Sequence, residues 1–106
     1  ELEREHGVTI KTDWLFVGES YRIEPNEPIV KALQAAYERE DGRPPELAGM
    51  AIIADTHRLA PIGKVPTVPL GFDNEFAHAD QEMVRLDRLE RPLRLMLLTV
   101  LNYLEG

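Results

Sequence analysis

The sequence of 106 residues contains no cysteine. Disulfide bonds and thiolate metal ligands are therefore excluded, and any metal ion would have to be bound by His, Asp or Glu side chains. Positive charge is also scarce, since 12 Lys and Arg residues stand against 19 Asp and Glu residues and give a formal net charge of -7. Because phosphate groups are bound by clustered cations, this balance argues against nucleic acid and against an anionic membrane surface as partners.

Long apolar runs are missing as well. The longest strongly apolar stretch covers residues 95–101, and a membrane-spanning helix needs about 20 such residues. The charged N-terminus carries no secretory signal, so we expect the cytoplasm as the compartment. The length suits one ordinary domain and is too short for two.

Two segments in the first half of the chain carry helix signals. Residues 1–7 have the pattern of the last turns of a helix that Gly7 ends, and a chain that opens in mid-helix is expected to be part of a longer protein. Asn26 and Pro28 then mark the start of a second helix, because Asn can cap free backbone N–H groups and Pro fits the first turn. Asp41-Gly42 marks its end.

The C-terminal segment is predicted to form an amphipathic helix. Its leucine-rich stripe continues to the end of the chain and is expected to belong to a core or an interface. Two starting points remain open. Asp87 forms a capping-box pattern with Glu90, but a start at Asp87 would leave Pro92 beyond the first turn, whereas a start near Glu90 accommodates it.

Three extended segments are predicted between the helices. Apolar and polar residues alternate over most of residues 8–17, and residues 47–53 form a short apolar run that suits a buried strand. Residues 65–70 are predicted as an edge strand, because Pro66 and Pro69 lack a backbone N–H donor. Strands that alternate with helices indicate an α/β fold.

Two candidate functional segments follow these strands. His78 lies in an acidic loop, residues 71–82, where it can bind a divalent metal ion, move a proton, or simply be a surface residue among solvated acids. Asp55 and Arg58 lie on a predicted helical turn after residues 47–53. Asp55 either caps this turn or orients Arg58, and His57 is expected to be an incidental surface residue.

The order and spacing of these segments resemble the C-terminal part of the zinc aminoacylase/exopeptidase family, which includes acetylornithine deacetylase, succinyl-diaminopimelate desuccinylase and carboxypeptidase G. The matching positions are Asp55 and Arg58, residues 63–71, Ala77-His78, and Glu82. The chain departs from the family pattern by placing two residues instead of one between Asp55 and Arg58. It also has Gly71-Phe72-Asp73 where the family has Gly-Pro-Gly.

The resemblance implies an α/β architecture of the three-layer type. Residues 23–106 would be the C-terminal portion of a zinc-peptidase catalytic domain, and residues 1–22 would end a lid domain with its last strand. The resemblance further implies that His78 is one ligand of a two-zinc site, with Glu82 in a supporting role. Arg58, together with Asp55, would bind a substrate carboxylate.

The implied activity is metal-dependent hydrolysis of amide bonds in N-acyl amino acids or small peptides. The other metal ligands and the catalytic Glu of this family precede the lid, so no catalytic residue is assigned to this chain. The chain alone would be inactive until a missing N-terminal half or another chain completes the site. The alternative is a non-enzymatic α/β interaction module that oligomerises through its C-terminal helix. We also expect the chain to form a homo-oligomer.

Overall fold

The computed structural model describes residues 1–15, 17–71 and 77–106. Within these ranges the chain forms three α-helices, which are α1 (Leu2–His6), α2 (Pro28–Asp41) and α3 (Glu90–Glu105). A π-helical turn, Arg58–Ile62, and a 3-10 turn, Leu86–Arg88, lie between α2 and α3. The described residues contain no β-strand.

The predicted α/β fold is therefore wrong, and with it the three-layer fragment and the final lid strand. Residues 8–17, 47–53 and 65–70 form neither helix nor strand wherever the structure describes them. A strand has no backbone hydrogen bonds within itself, so it is stable only where a second segment pairs with it. Alternating side chains indicate which residues share a face, but they do not indicate that a pairing segment is present.

The helical signals in the first half of the chain are confirmed. α1 ends at Gly7, which adopts a left-handed conformation with φ 62°. α2 begins at Pro28 and ends at Gly42, whose φ is 74° and whose N–H donates to the Glu38 carbonyl oxygen at 2.9 Å. The predicted cap at Asn26 is wrong, because the residue before the first helical position is Glu27 and no side chain caps this end.

The structure decides between the two starting points of the last helix. α3 begins at Glu90, so Pro92 lies in the first turn, where a missing backbone N–H leaves no helical hydrogen bond unmade. The Asp87 carboxylate does not cap this helix but binds Arg85, with 2.9 Å between the Arg85 Nε and Asp87 Oδ1 atoms. This hydrogen bond to Arg85 lowers the pKa of Asp87 below its ordinary value.

The core lies where α2 packs against α3. It is built from one large side chain of α3, Leu95, which is fully buried, and from small and medium-sized side chains of α2, namely Val30, Ala32, Leu33 and Ala36. Ala32 and Ala36 lie one turn apart on the buried face of α2, and their small side chains let α3 approach closely.

Polar contacts join the two helices at both ends. Near the end of α3, Asn102 Nδ2 donates to the Ala32 carbonyl oxygen in the first half of α2 at 3.1 Å. At the other end, Arg91 forms a bidentate pair with Asp41, and its guanidinium lies 5.4 Å from the ring centroid of Tyr37. Because the start of one helix meets the end of the other, α2 and α3 are antiparallel.

Arg94 forms two ion pairs at this end of the helix pair, one with Glu40 of α2 and one with Glu90 within α3. Arg94 Nε lies 3.2 Å from Glu40 Oε1, and Arg94 Nη1 lies 3.2 Å from Glu90 Oε1. The hydrogen bond from Arg91 lowers the pKa of Asp41 below its ordinary value. Ion pairs at a protein surface contribute little to stability, so the pairs Arg91–Asp41 and Arg94–Glu40 fix the register of the two helices more than they stabilise the fold.

The chain is extended for its length and exposes much apolar surface. Its radius of gyration is 18.9 Å, whereas a compact domain of this length has about 13 Å. Its accessible surface is 9256 Å², whereas a compact protein of this mass exposes about 6,000 Å². Of the helices in the described ranges, none combines the length and apolarity required to cross a bilayer.

The packing predicts that Leu95→Ala destabilises the helix pair. Leu95 has no exposed surface, so its truncation leaves a cavity between α2 and α3. We expect the free energy of unfolding to fall by about 2–4 kcal/mol. Urea unfolding followed by circular dichroism at 222 nm measures this change.

Leu86→Ala is the matched control, because Leu86 is 83% exposed and lies outside α3. We expect this variant to unfold within about 0.5 kcal/mol of the original protein. An equal fall in the free energy of unfolding for Leu95→Ala and Leu86→Ala would contradict the assignment of Leu95 to the core.

Candidate functional site

Asp55 and Arg58 lie on one short helical turn. The Arg58 N–H donates to the Asp55 carbonyl oxygen at 3.0 Å, and the His57 N–H donates to the Ala54 carbonyl oxygen at 3.1 Å. Residues three apart on a helical turn lie on the same side. The side chains of Asp55 and Arg58 are accordingly both exposed, whereas His57 on the other side is buried.

His57 is a structural residue of this turn. Its side chain is 9% exposed, and its Nδ1 atom lies 2.5 Å from the Ala54 carbonyl oxygen. Because a carbonyl oxygen only accepts hydrogen bonds, Nδ1 carries the proton. The prediction of an incidental surface residue is wrong. The spacing did not signal this burial, since two residues between Asp55 and Arg58 put both Thr56 and His57 off the Asp55–Arg58 side without showing which of them packs inward.

The chain leaves this turn through a segment of unusual backbone geometry. The Gly63 N–H donates to the Arg58 carbonyl oxygen at 2.8 Å. This hydrogen bond joins residues five apart in the sequence, as in a π-helix. Lys64 follows in a left-handed conformation with φ 56°, and the Val65 N–H returns to the Leu59 carbonyl oxygen at 2.9 Å. Single π-helical turns are frequent at functional sites, because they redirect the chain and its side chains.

An open apolar groove of about 770 Å³ adjoins the same turn. One wall is the α2 surface formed by Val30, Leu33 and Tyr37, and Thr56 of the turn contributes to its lining. The segments that were predicted as strands supply further apolar side chains, including Ile52 and Val68. Grooves of this volume and lining accommodate small molecules with an apolar part.

His78 lies on an exposed turn that follows residue 76. Its side chain is exposed, and its backbone is left-handed with φ 63°. Glu82 is also exposed and follows the turn. The acidic part of the predicted loop, residues 72–76, lies outside the described residues.

The described residues do not form a metal centre by themselves. They contain no group of three or more His, Asp or Glu side chains arranged to hold a metal ion. A catalytic zinc ion usually has three protein ligands, and His78 could supply one.

No protein-family model, curated protein or solved structure matches this chain. The function therefore has to be inferred from the residues and their geometry.

The backbone geometry predicts that Gly63→Ala opens the turn that carries Arg58. A Cβ atom at this position would lie 2.8 Å from the Leu59 carbonyl oxygen and 3.2 Å from the Arg58 carbonyl oxygen, which is too close for a real side chain. We expect the Lys64 and Val65 amides to exchange about ten times faster, which corresponds to about 1.4 kcal/mol. Hydrogen exchange followed by NMR measures both amides.

Gly49→Ala is the control, because a Cβ atom at Gly49 would meet no atom within 4 Å. The exchange rates of Lys64 and Val65 should stay unchanged in this variant. An unchanged rate in Gly63→Ala would show that the turn tolerates a side chain and would contradict the prediction.

Proposed function

We propose that this chain is part of a metal-dependent hydrolase that cleaves amide bonds in N-acyl amino acids or small peptides. The observation that carries the proposal is the conformation of His78, which combines an exposed imidazole with a left-handed backbone. A non-glycine residue in this conformation costs about 1–2 kcal/mol, and such residues are concentrated at active sites and ligand-binding sites. Neutral imidazole is also a common zinc ligand.

The turn at Asp55 supports recognition of a substrate carboxylate. Arg58 is exposed there and lies on the same side as Asp55. A guanidinium group binds a carboxylate through two parallel hydrogen bonds, and an amino acid or peptide product has such a carboxylate. The apolar groove beside Thr56 suits the side chain or acyl group of the same substrate.

The proposed site requires a second contributor. His78 would supply one metal ligand and Glu82 would support it, so the remaining ligands and the catalytic Glu would come from another segment or another chain. The exposed area supports such an assembly, because the chain has about 3,000 Å² more accessible surface than a compact protein of its mass. We therefore expect the chain alone to be inactive.

The proposal predicts that His78→Ala abolishes hydrolysis by the complete enzyme. The natural full-length protein is purified, its intact mass is measured, and it is assayed on N-acetyl amino acids and dipeptides. We expect zinc in the purified protein, loss of activity on chelation, and at least a hundredfold lower kcat in the variant together with reduced zinc content.

His6→Ala is the control, since His6 is an exposed histidine on α1, outside the candidate site. It should change neither zinc content nor kcat. If the natural protein hydrolyses none of these substrates, or if zinc content does not depend on His78, the hydrolase proposal fails and the interaction-module interpretation gains support.

A second variant tests the role proposed for Arg58. Arg58→Lys keeps the charge but loses the planar pair of donors, so we expect KM for N-acyl amino acids to rise about tenfold with little change in kcat. N-acyl amino acid amides, which lack the carboxylate, should be hydrolysed equally by both forms. An equal rise in KM for the N-acyl amino acids and for their amides would contradict carboxylate binding by Arg58.

A further inference from the structure

His57 is the one buried residue outside α2 and α3 in the part of the chain that the structure describes. It is also the one ionisable side chain that is buried within those ranges. A buried polar ring loses its contacts with water and has to be hydrogen-bonded to offset that loss. The atom to which this ring donates therefore indicates what the residue does on the turn.

The Ala54 carbonyl oxygen accepts two hydrogen bonds from His57. The backbone N–H donates to it at 3.1 Å, and the ring Nδ1 atom lies 2.5 Å from the same oxygen. A carbonyl oxygen has two lone pairs, so both hydrogen bonds can form together. The side chain thus closes the same turn that the backbone closes, and the ring cannot rotate away without losing its hydrogen bond.

Arg58 follows this doubly closed turn, and its backbone is held on both sides. Its N–H donates to the Asp55 carbonyl oxygen at 3.0 Å, and its own carbonyl oxygen accepts from the Gly63 N–H at 2.8 Å. These hydrogen bonds fix the backbone at residue 58. They therefore also fix the direction in which the Arg58 side chain leaves the backbone.

The buried ring of His57 determines which side of the turn is the outer one. Consecutive side chains on a helical turn diverge by about 100°, so a buried His57 leaves its neighbours on other sides of the turn. Arg58 is exposed together with Asp55, and Thr56 contributes to the lining of the apolar groove. One anchored ring therefore sets the position of the guanidinium next to the groove.

His57 is not placed to contact a substrate itself. Its ring is buried, and it is not among the residues that line the groove. Its effect on binding would therefore come through Arg58. A long side chain loses rotamer freedom when it binds a ligand, and a fixed backbone reduces the number of orientations that have to be given up. Such preorganisation raises the affinity for the group that Arg58 contacts.

We propose that His57 is a positioning residue, whose ring holds Arg58 in place to bind the substrate carboxylate. This inference rests on the proposed function, because carboxylate binding by Arg58 is part of it. It adds a requirement that the charge of Arg58 alone does not meet. A guanidinium on a loose turn has the same charge but no fixed direction, whereas a carboxylate is bound best by two parallel donors in one orientation.

Steady-state kinetics of the natural full-length protein test this role. His57→Ala removes the ring, so we expect KM for N-acyl amino acids to rise about tenfold with kcat nearly unchanged. N-acyl amino acid amides lack the carboxylate and should keep their KM. His57→Asn supplies an N–H donor near the position of Nδ1 and should recover most of the lost affinity.

A double variant shows whether His57 acts through Arg58. If it does, His57→Ala combined with Arg58→Lys should raise KM about as much as one of these changes alone. Independent contributions would instead multiply to about a hundredfold. His6→Ala is the matched control, because His6 is an exposed histidine on α1, and it should leave KM unchanged for both substrate series.

Hydrogen exchange of this chain, followed by NMR, tests the anchor independently of hydrolysis. The Arg58 amide should exchange about ten times faster in His57→Ala and close to its original rate in His57→Asn. The Leu33 amide lies in α2, away from the turn, and should exchange at the same rate in all forms. An unchanged rate at Leu33 shows that the helix pair stays folded in the variants.

The outcomes separate this inference from the hydrolase proposal. If the natural protein hydrolyses the substrates and needs His78, but His57→Ala leaves KM or the Arg58 amide exchange unchanged, the positioning role alone is overturned. The same holds if KM rises equally for the amides, if His57→Asn recovers nothing, or if the double variant shows a hundredfold effect. A natural protein that hydrolyses none of the substrates overturns both proposals.

Discussion

The packing of α2 against α3 is the contact on which the rest of this structure depends. In the part of the chain that the structure describes, the core is confined to these two helices, and Leu95 is its one large side chain contributed by α3. A pair of helices this short is marginal in water unless tertiary contacts bury its apolar faces. All the buried apolar side chains of the described residues lie on this pair, so the segments outside it contribute little apolar burial to stability.

The same contact couples the helix pair to the candidate site through α2. Val30, Leu33 and Tyr37 form one wall of the groove, and Tyr37 also lies under the Arg91 guanidinium. A shift of α3 would therefore move a side chain that lines the groove beside the Asp55–Arg58 turn. Arg91 is held in turn by Asp41 at the end of α2, so the antiparallel register of the helices fixes the guanidinium against the Tyr37 ring.

Local signals in the sequence predicted three helix ends correctly, although the predicted cap at Asn26 was wrong. Features that depend on contacts between distant segments were not predictable from such signals. Gly7, Pro28 and Gly42 mark helix ends because a single residue's φ or missing N–H decides them. The expected strands needed partner segments, and no described residue pairs with them. The side-by-side placement of Asp55 and Arg58 follows from their spacing, but burial of His57 depends on what packs against the turn.

The candidate site residues and the exposed apolar face of α3 lie on different parts of this chain. The candidate site residues lie in the segments between α2 and α3, whereas the exposed side chains Leu93, Leu97 and Leu104 lie on α3. Any segment that covered these α3 side chains would add stability by burying apolar surface, and it would not need to donate a metal ligand or a substrate contact. The proposed metal site has a different requirement, because the His78 imidazole can hold a zinc ion only together with further oxygen or nitrogen ligands. Two distinct surfaces of one small chain thus call for two chemically different contacts, one apolar and one polar.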